Sequence, residues 1–148
     1  MRNILITGGT GFIGSHITIE LIKRGYSVVL LDSLINSSEN IIDKIKFIVK
    51  NELVDFASSI EFIKGDIRDK IKLDEIFIKY ERLNKPIEAV IHCAGLKSVS
   101  ESIYTPLEYW DVNVVGTLNL LKIMEKFNCK KIVFSSSATI YGDSKDNL

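Results

Sequence analysis

A glycine-rich turn between a buried strand and a helix limits the possible folds of this chain more than any other feature. Residues 3–7, NILIT, form a short apolar, β-branched run, which is typical of a buried strand. Apolar residues then recur with a helical period from Phe12 until Gly25 interrupts the pattern. The turn TGGTGFIGS at 7–15 therefore joins a strand to a helix in the first unit of the chain.

The glycines of this turn have the spacing G-x-x-G-x-x-G. Residues without a Cβ let the backbone come close to a pyrophosphate, and the amide groups at the helix N-terminus attract that anion. Glycines alone are weak evidence, but the strand before them and the helix after them supply the required context. We predict a dinucleotide site here, with a glycine-rich turn that binds nothing as the alternative. The predicted contacts are Gly8, Gly11 and Gly14.

The remaining sequence alternates between strand and helix patterns. Apolar runs predict four more strands, at 27–32, 60–66, 87–95 and 130–137. Amphipathic periods predict helices between them, at 38–56, 69–82 and 107–127. This order is typical of an α/β fold, a Rossmann-type doubly wound parallel sheet with helices on both faces. A sixth strand usually follows in such folds. We therefore expect an incomplete sheet, the N-terminal part of a longer protein without its substrate domain.

Asp32 ends the second predicted strand, 18 residues after Gly14. A carboxylate at this place accepts hydrogen bonds from the adenosine ribose hydroxyls. It would repel a 2′-phosphate, and no arginine stands beside it, so we predict NAD rather than NADP as the cofactor and 1–148 as an NAD-binding domain. A helix cap or loop charge is the alternative for Asp32. The segment GDI at 65–67 is either a flank of the adenine or a simple turn.

The composition excludes several classes of partner. Nineteen Lys and Arg balance nineteen Asp and Glu, so no electrostatic argument favours nucleic acid or an anionic membrane. The apolar run at the N-terminus is too short for a signal or membrane segment, and we expect a cytoplasmic protein. The two cysteines lack metal-ligand spacing and are expected to be reduced thiols. We predict no metal site and interpret His16 and His92 as structural.

Six longer segments, distributed over the whole chain, resemble the extended short-chain dehydrogenase/reductase family. Two stretches within them, AGLKSVSES and SSSAT, are more specific and are similar to its UDP-hexose 4-epimerases. The segments are TGGTGFIGSH (7–16), DSLINSS (32–38), GDIRD (65–69), HCAGLKSVSES (92–102), PLEYWDVNVVGTLNLL (106–121) and FSSSATIYGD (134–143).

The resemblance implies a role for each matching cofactor position. Gly11, Phe12 and Ile13 would lie under the pyrophosphate, and Asn113 would support the active site from its helix. The adenosine ribose and nearby phosphate would contact Asp32, Asn36 and Ser37, and the adenine Asp66 and Ile67. The path to the nicotinamide ribose would be lined by Cys93, Ala94, Gly95 and Lys97. Cys93 replaces an aromatic residue common in the family, and Val112 a polar one.

The same resemblance implies a substrate site beside the fifth strand, where Ser137 would be the catalytic serine. The residues implied to contact a UDP-sugar are Lys97, Ser137, Ala138 and Thr139. Without the resemblance, Lys97 could be a loop charge, Asn113 an ordinary polar helix residue and Ser137 the end of a strand. The helix at 107–127 is a plausible dimer face, as in the family, so a homodimer is implied for the longer protein.

The segment YGDSK contains Tyr141 and Lys145 at the spacing of the catalytic pair of this enzyme class. That pair stands on a helix, where residues four apart share a face. Only three residues separate Ser137 from Tyr141, and GDSKDNL has the composition of a turn. We interpret the segment as a look-alike, so the true tyrosine and lysine would be absent.

The activity that the resemblance implies is NAD-dependent epimerisation at C4, interconverting UDP-glucose and UDP-galactose, in the longer protein. The chain itself is expected to bind NAD without turnover. One alternative is another enzyme of the family, such as a nucleotide-sugar 4,6-dehydratase, although SATIY lacks the carboxylates that dehydration needs. The other alternative is a non-catalytic NAD-binding regulatory module, which would need the glycine turn and Asp32 but not Ser137.

Overall fold

Parallel strands form a single sheet in the computed structural model, which describes residues 2–52 and 60–137. Within these residues the sheet has five strands in the order β3-β2-β1-β4-β5. This order is that of a doubly wound fold, with β1 at the centre. The predicted Rossmann-type parallel sheet is therefore confirmed. The strands are β1 Asn3–Thr7, β2 Ser27–Asp32, β3 Ile60–Lys64, β4 Ile87–His92 and β5 Ile132–Phe134.

Helices connect the strands and cover both faces of the sheet. None of the described helices is long and apolar enough to cross a membrane. They are α1 Phe12–Lys23, α2 Asn40–Glu52, α3 Lys70–Arg82, α4 Val99–Tyr104, α5 Pro106–Trp110 and α6 Thr117–Lys126, with a π-helical turn, Asp111–Gly116, between α5 and α6.

Alternate residues of the central strands pack into two separate cores. On one face Leu5, Val29 and Leu31 pack with the apolar sides of α3 and α6. On the other face Ile6 and Leu30 pack with residues of α1 and α2. Because successive side chains of a strand point to opposite faces, a strand covered on both faces must be apolar throughout. This explains the uninterrupted apolar runs NILIT and SVVLLD.

The predicted helix at 107–127 is three pieces, and a short helix precedes it. Ser98 begins α4, since its Oγ accepts a hydrogen bond from the Glu101 amide at 3.3 Å. This is half of a capping box, S-x-x-E, and the sequence shows it. Pro106 then begins α5 as its first residue. The π-helical turn was not predicted, because the pattern of DVNVVG does not distinguish a π-helical turn from an α-helical one.

Three predicted strands are shorter than their apolar runs. β3 ends at Lys64 rather than residue 66, and β4 ends at His92 rather than residue 95. β5 covers three residues instead of the predicted 130–137. The residues beyond each strand form loops at the carboxyl edge of the sheet. In open α/β sheets this edge is where ligands bind, so the shortening brings the predicted site residues together.

Candidate functional site

A cavity of about 390 Å³ opens at the carboxyl edge, above β1, β2 and β4. Loops from five places in the sequence meet there: the glycine turn and the segments after β2, β3 and β4, with one residue of the π-helical turn. Most of the predicted cofactor residues line this cavity: Gly8, Gly11, Phe12, Ile13, Asp32, Asn36, Asp66, Ile67, Cys93, Ala94, Gly95 and Lys97. The other three do not line the cavity but contact residues that do: Gly14 packs against Gly8, Ser37 donates to Asp32, and Asn113 accepts from Leu96.

The glycine turn is held so tightly that side chains are excluded from it. Gly8 has φ +69°, and a Cβ there would lie 2.7 Å from the Ala94 backbone nitrogen. A Cβ on Gly14 would lie 2.2 Å from the Gly8 carbonyl oxygen. The Gly8 amide donates to the Leu31 carbonyl at 2.8 Å, which fixes the turn to β2. Gly11, the N-cap of α1, supplies no side-chain cap, so the helix N-terminus faces the cavity with bare backbone amides.

Asp32 is buried and accepts hydrogen bonds on both carboxylate oxygens. The Thr10 amide donates to Oδ2 at 3.0 Å, and the Leu34 amide donates to Oδ1 at 2.9 Å. The Ser37 hydroxyl also donates to Oδ1, at 3.1 Å. Ser37 therefore contributes through Asp32 rather than by lining the cavity. Because Oδ2 accepts one bond here and can accept two, the carboxylate retains capacity for a ribose hydroxyl.

Asp66 forms an ion pair with Arg68, and this pair joins the loop after β3 to the π-helical turn. The Arg68 guanidinium contacts Asp66 at 2.7 Å and reaches Asp111 at 3.1 Å. The side-chain hydrogen bond from Arg68 is the largest cause that lowers the pKa of Asp66. Gly116 lets the helix approach this loop, because a Cβ there would lie 2.7 Å from the Ile67 side chain. The ion pair was not predicted, although both residues stand in GDIRD.

Asn113 supports the loop at residues 95–98 instead of lining the first cavity. Its Oδ1 accepts from the Leu96 amide at 2.8 Å, and its Nδ2 donates to the Leu96 carbonyl at 2.9 Å. Gly95 permits this contact, since a Cβ there would already be 3.1 Å from Asn113 Oδ1. Val112 stands at a position where some relatives of the family have a polar residue. It is buried and lines the first cavity with an apolar side chain.

A second cavity, of about 660 Å³, adjoins the first and shares Gly95 and Lys97 with it. It extends to Ser137 after β5, where the resemblance implies the substrate. Tyr109 also lines it, donating its hydroxyl to Glu101 at 2.9 Å. Desolvation, then that hydrogen bond, raises the pKa of Tyr109, so its phenol is not prepared to act as a base. The implied substrate contacts Ala138 and Thr139, and the pair Tyr141 and Lys145, lie outside the described residues.

Cys93 is buried at the wall of the first cavity, and both cysteines are free. Burial raises the pKa of Cys93, opposed by the positive charge of Lys97, so the thiol stays protonated at neutral pH. Cys93 therefore contributes a neutral surface and its backbone at this position. No cluster of three metal-ligating side chains occurs among the described residues.

His92, which was interpreted as structural, has a hydrogen-bond partner at each ring nitrogen. It is the last residue of β4 and lies opposite Thr7, the last residue of β1. Its Nδ1 lies 2.6 Å from Thr7 Oγ1, and its Nε2 lies 2.9 Å from Thr117 Oγ1. Only a weak feature of the sequence indicates this contact: the apolar strands β1 and β4 both end in a polar residue.

Comparison with known proteins agrees with this geometry. The model of a family described as GDP-mannose 4,6 dehydratase matches residues 5–148. The chain belongs to this family. The similar curated proteins include a UDP-glucose 4-epimerase from Neisseria meningitidis. That protein is 50% identical over 143 residues, which are 97% of this chain and 39% of the relative.

Two solved structures that are similar to this chain are also epimerases. The UDP-glucose 4-epimerase of Bifidobacterium longum, solved with NAD+ and UDP, has a TM-score of 0.85 and 41% identity, and covers 98% of this chain. The enzyme from Stenotrophomonas maltophila, solved with NAD and formylated UDP-arabinopyranose, has a TM-score of 0.85 and 38% identity over 99% of this chain. The chain spans 40% of the length of each. The resemblance to the epimerases is confirmed.

Proposed function

We propose that the chain binds NAD in the first cavity and forms the cofactor part of a UDP-hexose 4-epimerase. In a protein of the relatives' length, that enzyme would interconvert UDP-glucose and UDP-galactose. The observation that carries the proposal is the meeting of the glycine turn, Asp32 and the loop after β4 in one cavity. The 50% identity to an epimerase adds the reaction class.

The cradle fits a dinucleotide in shape and charge. Gly8 and Gly14 leave no room for side chains, so only backbone lies between the turn and a pyrophosphate. The amides at the start of α1 supply positive charge for it. Asp32, held by three donors, is oriented toward a ribose and would repel a 2′-phosphate. These features favour NAD over NADP.

NAD would supply reversible hydride transfer at C4 of the hexose. The residues of this chain would bind and orient the reactants. Lys97 borders both cavities and would place its charge between the cofactor and the sugar. The Ser137 hydroxyl in the second cavity would hydrogen-bond the C4 oxygen, which changes between hydroxyl and carbonyl. Ala138 and Thr139 would complete the sugar contacts.

The 148 residues are expected to bind NAD without turnover. A proton must leave the C4 hydroxyl as the hydride leaves, so a base is required. Tyr109, whose pKa is raised, is unsuited to that task, and Tyr141 is interpreted as part of a turn. A non-catalytic NAD-binding regulator remains the second candidate, and NAD binding without turnover is the observation that would favour it for the chain alone.

A 4,6-dehydratase is the candidate that the name of the family suggests. Dehydration needs an added acid and base at the sugar. The stretch after Ser136, SATIY, contains no carboxylate, and the described lining of the second cavity contains none either. Epimerisation is therefore the better proposal.

Two further proposals concern the longer protein. The side chains on the outer face of α5 and α6 are large, apolar and exposed, and we expect this face to form a homodimer: Leu107, Trp110, Leu118 and Leu121. Cys93 and Cys129 are free, in keeping with a reducing compartment, and we expect a cytoplasmic location.

Calorimetric titration of the chain with NAD and with NADP tests the cofactor proposal. We expect binding of NAD and at least tenfold weaker binding of NADP, a difference of about 1.4 kcal/mol. Incubation with NAD and UDP-galactose, followed by chromatography of the nucleotide sugars, should show no UDP-glucose. Equal affinity for the two cofactors would contradict the role of Asp32, and any turnover would contradict the interpretation of Tyr141.

A further inference from the structure

The His92 imidazole lies at the centre of a hydrogen-bond chain that crosses from the sheet to the π-helical turn. The ring is 1% exposed, and both of its nitrogens have partners. On one side Thr7 Oγ1 is 2.6 Å from Nδ1 and 3.4 Å from the Ala94 amide nitrogen. On the other side Thr117 Oγ1 is 2.9 Å from Nε2 and 2.6 Å from the Asn113 carbonyl oxygen.

The ends of this chain determine the direction of every bond in it. The Asn113 carbonyl only accepts, so the Thr117 hydroxyl must donate to it; otherwise two oxygens would lie 2.6 Å apart without a proton between them. Thr117 Oγ1 must then accept from Nε2–H. This leaves Nδ1 as an acceptor, which the Thr7 hydroxyl fills, and the Ala94 amide donates to Thr7 Oγ1. A neutral ring with its proton on Nε2 satisfies all four bonds.

The chain of hydrogen bonds continues from the π-helical turn to the walls of both cavities. Asn113, whose carbonyl ends the chain, holds Leu96 by both its backbone amide and its carbonyl. Leu96 belongs to the loop 95–98, which borders the two cavities. At the other end, Thr7 leads into the glycine turn. The His92 ring thus connects the strand that leads into the glycine turn with the loop 95–98, both of which border the first cavity.

We propose that His92 is a positioning residue for the loop 95–98, acting as a neutral bridge with its proton on Nε2 between Thr7 and Thr117. Only its consequence for NAD rests on the proposed function; the bridge itself does not. Burial lowers the pKa of His92 to about 4, in keeping with a neutral ring. A protonated ring would carry a second donor on Nδ1, and the Thr7 hydroxyl would lose its acceptor.

The first test examines the bridge without any ligand. Long-range nitrogen–proton correlation spectra of the chain at neutral pH should show the Nε2–H tautomer of His92. The opposite tautomer or a charged ring would overturn the proposal. Amide exchange then measures the loop: His92→Leu, which removes both bonds, should increase the exchange rate of the Leu96 amide about tenfold, the effect of losing about one buried hydrogen bond.

Two control variants separate positioning from general loss of stability. Val90→Ala removes a fully buried side chain from the same strand, with no link to the bridge. It should speed exchange throughout β4 without selecting Leu96. His92→Gln keeps a donor that can reach Thr117, and it should restore most of the Leu96 protection. Equal effects of Val90→Ala and His92→Leu on Leu96, measured relative to core amides, would overturn the proposal.

The second test concerns the cofactor. The loop 95–98 is predicted to border the nicotinamide end of NAD, whereas Asp32 and Asp66 are the predicted adenosine contacts. His92→Leu should therefore weaken NAD binding about tenfold, while the binding of AMP, which lacks the nicotinamide, changes less than twofold. Equal weakening of both ligands would reject positioning of the nicotinamide end. If the unsubstituted chain does not bind NAD, the proposed function fails, whereas the tautomer and exchange results still decide the role of His92.

Discussion

The side-chain amide of Asn113 forms two hydrogen bonds with the backbone of Leu96, accepting from its N–H at 2.8 Å and donating to its carbonyl at 2.9 Å. One side chain thus replaces the strand partner that the loop after β4 no longer has. The polar groups of Leu96 are satisfied by a helix instead of by the sheet. The position of Leu96 therefore depends on Asn113 of the π-helical turn.

Asn113→Ala should loosen this loop. Both polar groups of Leu96 would lose their partner, and we expect the free energy of unfolding to fall by about 1–3 kcal/mol. NAD should bind more weakly, because the loop borders the cavity. Urea unfolding and calorimetric titration measure the two effects. Lys122→Ala, an exposed position on α6, is the control and should change neither. Unchanged stability in Asn113→Ala would show that water replaces the amide without loss.

Gly14→Ala should prevent the glycine turn from closing. The new Cβ would lie 2.2 Å from the Gly8 carbonyl oxygen, and backbone cannot move away as a flexible side chain can. We expect a loss of NAD binding and of stability, the latter exceeding about 2 kcal/mol.

Gly25→Ala is the matched control for that variant. Gly25 has φ +80°, but a Cβ there would meet nothing within 4 Å. Only the left-handed backbone opposes the substitution, at about 1–2 kcal/mol, and NAD affinity should be unchanged. Thermal unfolding and NAD titration of both variants make the comparison, and similar NAD affinities in the two would refute a steric role for Gly14.

Asp32→Asn should weaken both the turn and the choice of cofactor. The amide nitrogen of Asn would face N–H or O–H donors that now meet carboxylate oxygens, so we expect a loss of about 1–3 kcal/mol in stability. Removal of the negative charge should also reduce the preference for NAD over NADP. Titration with each cofactor gives the ratio of the two dissociation constants. A ratio equal to that of the unsubstituted chain would assign the selectivity to other residues.

Stability should depend on pH through His92. Burial lowers its pKa from the ordinary 6.5 to about 4, so between these values the unfolded chain binds a proton that the folded chain does not. The contribution is complete above 6.5 and is lost as pH falls toward 4, amounting to about 3 kcal/mol. Urea unfolding at several pH values, compared between the chain and His92→Gln, isolates the effect. Parallel pH profiles would contradict it.

The strands could be predicted because covered parallel strands leave a strong signal. Leu5 and Ile6 point to opposite faces and both are buried, so the apolar run is continuous and short. The ends of strands were harder to predict, because Cys93 and Ala94 continue the apolar run of β4 beyond His92, its last residue. Hydrophobicity records burial, and burial extends past the sheet into the wall of the cavity.

Residues that would meet a dinucleotide could be predicted, whereas the pairings of Arg68 and His92 with other residues were missed. Gly8 and Asp32 follow from what a dinucleotide requires. Arg68 acts through Asp66, and His92 acts through Thr7 and Thr117. The two partners of His92 are 25 or more residues away in the sequence, so these contacts depend on how distant segments are packed. The roles of the residues that line the cavities stay predictions, to be tested by the variants above.

The π-helical turn makes the length of this segment as restrictive as its composition. An α-helix turns by about 100° per residue, and the π-helical turn already accommodates one residue in excess, so a further insertion between residues 111 and 116 would change the phase of α6 relative to α5. Either Asn113 would turn away from Leu96, or Leu120 and Met124 would turn out of the core. A further insertion in the turn should therefore cost more stability than most single substitutions, and homologous sequences should align through it without added residues.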